Sequence, residues 1–245
     1  MKTLILIIIA FLIICCTNLE FQIYKTAHFK ILYTKIDNKN IKEISDSLEN
    51  NYRRIITNLQ SQELPIVSIY LYADTASFRK VAKQWNRILP VWAIGMARGD
   101  SSIHMISPNS PDARNQGYGY QELIRGTIHE FAHCVSLYIN KTFANKPRWL
   151  WESVAIYESN QTSDPHQLSY LVNQKPPTLK ELNDMTKPYV YEIGYFIAEY
   201  LVISKGHDVL NTLIKNNGNI QQTLNMDDVE FIKQWFAFVK KKYGI

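Results

Sequence analysis

Two hydrophobic rhythms alternate along the first half of the chain. From His28 to Tyr33 and from Pro65 to Tyr72 apolar side chains recur at every second position, the pattern of strands with one buried face. Between them, Asn40 to Leu59 carries Ile44, Leu48, Tyr52, Ile55, Ile56 and Leu59 at steps of three and four, which predicts a helix. Ser77 to Trp85 repeats the helical spacing briefly. Val91 to Ile106 contains two extended runs around Arg98-Gly-Asp-Ser, a turn signal, and Pro108 to Tyr120 is rich enough in Ser, Asn, Asp, Gly and Pro to read as a loop.

From Gln121 onward the pattern is helical throughout. Gln121 to Ile139 is a buried helix without proline, and Asn145-Lys-Pro147 reads as the cap and first turn of the next, which carries Trp149 to Tyr157. Thr178-Leu-Lys-Glu181 has the form of a capping box. Val190 to Lys205 stops at Gly206, a usual helix end, and Asp208 to Lys215 and Asp227 to Lys242 complete the series. The expected fold is therefore α+β, an N-terminal mixed sheet with helices followed by an all-helical C-terminal half. No repeat, low-complexity tract or long linker divides the chain, so one domain is expected over residues 17–245.

Residues 1–16 differ from the rest. One lysine precedes an apolar run, the shape of a secretory signal, and Leu4 to Cys16 as a helix would rise about 20 Å, short of the roughly 30 Å hydrocarbon core of a bilayer. Export to a bacterial cell envelope is the expectation. Cys15 and Cys16 stand where a lipoprotein signal places its lipidated cysteine, with Cys16 the better fit because Ile14 is large. A lipid-anchored form is favoured over plain secretion or an uncleaved anchor, and the anchor would be the sole membrane attachment. Beyond this segment Cys134 is the one remaining cysteine, which rules out an internal disulfide. The net charge of +5 is spread without a dense basic stripe, so nucleic acid is not indicated, and Lys240 to Lys242 read as a dipole-favoured helix end.

The chemistry lies in His129-Glu-Phe-Ala-His133. A four-residue helical step puts both imidazoles on one face, one turn apart, able to share a zinc ion, and Glu130 between them can take a proton from the attacking water without binding the metal. After eighteen intervening residues comes Glu152, which can supply the third ligand from a second helix packed on the first. Single histidines are more often hydrogen-bonded core residues, but chance would produce this motif in only about one per cent of chains of this length. By the same reasoning His104, isolated on a strand, is read as structural or surface, and Cys134 as a small buried apolar residue.

This stretch resembles the gluzincins, metallopeptidases of the peptidase MA-like group that includes the aminopeptidase-N-like and thermolysin-like enzymes. The resemblance rests on the His-Glu-x-x-His motif, the spacing to Glu152, and Trp149-Leu-Trp-Glu152-Ser-Val-Ala-Ile-Tyr-Glu158, with Ser153 where the family usually has glycine. It implies a thermolysin-like catalytic domain binding one Zn²⁺ through His129, His133 and Glu152, with Glu130 as general base. Tyr191-Glu-Ile-Gly194 resembles the family segment whose tyrosine stabilises the oxyanion. The family also has an edge strand above its zinc, and Ile103 to Ile106 is the expected equivalent. Gly95-Met-Ala-Arg-Gly99 lacks the glutamate with which aminopeptidase members bind a free amino terminus, which favours an endopeptidase. The expected partner is a peptide or protein substrate, and the expected reaction is peptide-bond hydrolysis. The alternative is a zinc-binding but inactive envelope protein that recognises a peptide or partner.

Overall fold

The computed structural model describes residues 20–245; the segment read as a secretory signal, with Cys15 and Cys16, lies outside them. The chain runs β1 (Gln22–Lys25), β2 (Phe29–Tyr33), α1 (Ile41–Asn58), β3 (Val67–Tyr72), α2 (Thr75–Gln84), β4 (Gly95–Arg98), β5 (Ser102–Ile106), α3 (Pro111–Asn115) and α4 (Tyr120–Ile139). Helices α5 (Arg148–Glu158), α6 (Ser169–Val172), α7 (Leu179–Asn183), α8 (Tyr189–Lys205), α9 (Val209–Lys215), α10 (Ile220–Leu224) and α11 (Asp228–Tyr243) follow. Five strands form one mixed sheet in the order β1-β2-β3-β5-β4, parallel at its centre and antiparallel at both edges. This is the α+β arrangement read from the sequence.

The buried faces follow the two periodicities. Phe29, Ile31, Val67, Ile69 and Leu71 alternate into the core from β2 and β3, and Ile41, Ile44, Leu48, Tyr52, Ile55 and Ile56 of α1 cover them. Helix α5 is buried on almost every side, because α4, α7 and α8 surround it. Its closest neighbour is α8, where Gly194 lets the two backbones approach. A Cβ on Gly194 would stand 3.1 Å from Ser153 Cα and 3.0 Å from Ile156 Cδ1. The space a glycine would provide at position 153 is thus supplied by α8.

Three expectations need correction. Ile103 to Ile106 is no edge: β5 lies between β3 and β4, and the edge strand is β4. Pro108 to Tyr120 contains the short helix α3, started by Pro111 at its first position. At the start of α5, Pro147 occupies the N-cap with extended backbone, and Asn145 sits earlier in a left-handed turn at φ 52°. The capping box of Thr178 and Glu181 is formed, and α8 ends at Gly206 with φ 102°. Of the C-terminal lysines, Lys242 pairs with Glu199 at 2.8 Å.

Candidate metal centre

Residues two positions apart on an α-helix point about 200° from each other. Phe131 is fully buried, edge-on to Phe29 of β2 at 5.1 Å and stacked on Tyr52 of α1 at 5.5 Å. Anchoring Phe131 in the core therefore turns His129 and His133, two residues to either side, away from the sheet core toward α5. Glu152 comes from α5 to meet them. Its Oε2 lies 3.3 Å from His129 Nε2 and 3.8 Å from His133 Nε2.

One donor atom from each of His129, His133 and Glu152 falls within 4.8 Å of the others. Donors bonded to a tetrahedral zinc at about 2.0–2.2 Å are separated by roughly 3.3 Å, so the spacing and the two-nitrogen, one-oxygen chemistry both fit that ion. The tautomer of His129 agrees as well. His129 Nδ1 lies 2.8 Å from the carboxamide oxygen of Gln161, to which it donates, leaving Nε2 free as a lone-pair donor. Ser159 Oγ stands 2.9 Å from the same oxygen and helps to fix it. His133 is oriented by stacking: its ring lies parallel to that of Trp151, 3.9 Å away. Burial, reinforced by His129, holds the His133 pKa well below the ordinary value, so the ring is neutral, the form that binds metals.

Glu130 leans out of α4 beneath β4. A Cβ on Gly95 would stand 3.1 Å from Glu130 Oε1, so any larger residue there would press on this carboxylate under the strand. Burial pushes its pKa up to about 7; His129 and the Ala97 N–H pull it down, and Glu152 adds to the rise. A carboxylate poised there can take and return a proton near neutral pH. No strand among the described residues pairs with the outer side of β4. Ile106 N–H donates to Ile94 O at 2.8 Å, and the alternation of an antiparallel ladder then directs residues 94, 96 and 98 at β5 and leaves Gly95 and Ala97 facing outward.

Tyr191 of α8 reaches the same place. Its hydroxyl donates to Glu152 Oε1 at 3.3 Å, its ring packs edge-on to Trp92 at 5.3 Å, and the Arg148 guanidinium lies 5.0 Å from its ring centre. Burial, then the Glu152 charge, raises its pKa, which keeps the phenol protonated as a donor. His129, Glu130, His133, Glu152, Gln161 and Tyr191 line one cleft of about 1200 Å³, whose floor is the exposed face of α4 and one of whose walls is β4.

The structure thus brings together His129, Glu130, His133, Glu152 and Tyr191. His104 is elsewhere. Met105 packs against Thr127 of α4, so its neighbour His104 points to the other face of the sheet, with Nδ1 2.8 Å from Tyr72 Oη and its ring stacked on Tyr70. Cys134 is buried with Sγ 3.8 Å from Ser102 O, and burial raises its pKa far above the thiolate range. Gln161 and Arg148 were not read from the sequence, and Gly95 was read only as part of Gly95-Met-Ala-Arg-Gly99, not for the room it leaves Glu130. Gln161 follows the left-handed turn at Asn160, beyond the end of α5, where no periodicity relates it to His129. Glycine and arginine near the motif carried no spacing rule of their own.

No protein-family description matches the chain, and no curated protein matches it. What the geometry itself defines is a buried His129–His133–Glu152 group that could hold a metal ion, at the base of an open cleft.

Proposed function

We propose that this protein is an exported zinc metallopeptidase of the gluzincin type, held at the cell envelope by an N-terminal lipid anchor. The observation that carries the reading is the convergence of the three donors on one point, with the Glu130 carboxylate held beside them under the free edge of a strand. A cofactor site alone would not need a base at that position. The outward-facing backbone of Gly95 and the carbonyl of Ala97 suit an extended peptide, which could bind to β4 as a further strand.

Zinc, when bound by His129, His133 and Glu152, would polarise the scissile carbonyl and acidify water. Glu130 then accepts the water proton and delivers it to the leaving amine. Tyr191 donates from its phenol to the developing oxyanion, and the Arg148 guanidinium beside its ring supports negative charge there. Trp151 and Gln161 hold the two imidazoles in orientation. Glu122, the remaining carboxylate lining the cleft, is engaged with the Gly119 N–H at 3.3 Å, in keeping with an endopeptidase that has no dedicated acid for a free amino terminus.

The test is Glu130→Gln. The variant should keep stoichiometric zinc and lose hydrolysis of a mixed peptide library. Undiminished turnover would refute the mechanism. Stoichiometric zinc with no hydrolysis even in the wild type would support the alternative, a zinc-containing envelope protein that only binds peptides in this cleft.

A further inference from the structure

The charges around the cleft are lopsided. Apart from His129, Glu130, His133 and Glu152, its charged lining consists of four basic side chains, Arg87, Arg125, Lys141 and Lys146, against Glu122 alone. A divalent ion would balance Glu130 and Glu152, so the excess at the rim sets the potential that a ligand meets. Lys141 is paired with Asp100 and Glu122 caps its own helix. Arg87, Arg125 and Lys146 are exposed and make no side-chain hydrogen bond or ion pair with the described residues.

Arg125 stands apart in position. It precedes His129 by one helical turn on the same face of α4, about 6 Å along the axis, so it lines the floor of the cleft beside the donor group. A guanidinium offers a planar fork of N–H donors matched to a carboxylate, and at this distance it would meet a group roughly one to two residues along an extended chain from the scissile bond. We propose that the cleft selects acidic peptides and that Arg125 is the residue that binds their carboxylate. This rests on the peptidase reading for its substrate class, but the charge preference is a property of the cleft that binding alone can measure. The carboxylate has two sources, an Asp or Glu side chain or a free C-terminus, and they differ in whether amidation removes the effect.

The experiment uses the zinc-loaded full domain and an internally quenched peptide with glutamates on both sides of its centre. Its glutamine counterpart is run beside it, and each is made with a free and an amidated C-terminus. Wild type should favour glutamate over glutamine by about tenfold in kcat/KM, and the ratio should shrink as salt is raised. Arg125→Gln should bring the ratio close to one without loss of zinc, and Arg125→Glu should invert it in favour of a lysine peptide. If the free-acid peptides are favoured over the amidated ones, in a way that Arg125→Gln removes, while glutamate and glutamine are cut alike, the recognised group is the C-terminus. Equal kcat/KM for all four peptides in wild type, or an unchanged ratio in Arg125→Gln, overturns the proposal. Should no peptide be cut, the same peptides are titrated onto the protein by fluorescence anisotropy. An Arg125-dependent preference for the acidic peptide then sustains the charge inference while the peptidase reading falls, and binding indifferent to charge overturns the inference.

Discussion

Glu158, the last residue of α5, should make the fold less stable as pH rises. Its side chain is completely buried; Oε2 accepts from Arg54 Nη1 at 2.7 Å and Asn58 Nδ2 at 3.2 Å, whereas Oε1 has no partner. Burial and the Arg54 charge act in opposite directions on this carboxyl. Burial prevails, because Arg54 is 41% exposed and its charge is screened by water, and the Glu158 pKa rises to about 7. Its ordinary value is 4.5. Between pH 4.5 and pH 7 the folded protein therefore keeps a proton that the unfolded chain has released, so the stability present below pH 4.5 is lost progressively up to pH 7. At about 1.4 kcal/mol per pH unit the loss comes to about 3 kcal/mol. Glu158→Gln removes the titration. Urea unfolding of metal-saturated wild type and variant at pH 4.5 and pH 8 isolates this group, since other titrating groups act alike in both. The variant should gain about 3 kcal/mol on wild type between the two pH values, roughly 10 °C in Tm for a chain of this size. A difference that is the same at both pH values would refute the argument. A variant that loses ground at high pH would show that the Arg54 pair wins and that Glu158 is ionised.

Two further substitutions probe the supports of the donor group. Gln161→Ala should weaken zinc affinity by about 10–100-fold in chelator competition while leaving the metal-free Tm within error, because the lost contact orients His129 and holds no element in place. Gly194→Val should force α8 away from α5 at Ser153 and Ile156, destabilising the fold by about 1–3 kcal/mol; zinc affinity should fall with it, since Glu152 is next to Ser153 on the displaced helix.

Long elements with strong periodicity were legible in the sequence. The readings for α1, α4, α8 and α11 agree with the structure to within a residue or two, since each has a full apolar face or a clear stop such as Gly206. The shortest helices without a capping box, unlike α7, and edge strands without alternation were not. Gln22–Lys25 forms β1 although only Tyr24 turns partly inward, so there was no alternation to read, and α3, α6 and α10 are five residues or fewer. The order of β4 and β5 was misread because a turn between two extended runs fixes their pairing but not which one faces the rest of the sheet. Burial carried the missing information: Ile103, Met105 and Ile106 are the apolar set of an inner strand, while Gly95 to Arg98 are not. At the site, helical spacing fixes two donors on α4, and the third needed only one more helix. The supports come from non-periodic places, a turn beyond α5 for Gln161 and an edge strand for Gly95, and only the folded chain brings them to the donors.

The central claim is that His129, His133 and Glu152 hold one metal ion. Elemental analysis of the purified domain from Thr17 onward, wild type and His133→Ala side by side, addresses it most directly. One zinc per chain in the wild type, absent from the variant, is the expected result. Wild-type protein that stays free of zinc after the metal is supplied, or a variant that retains it, would contradict the account.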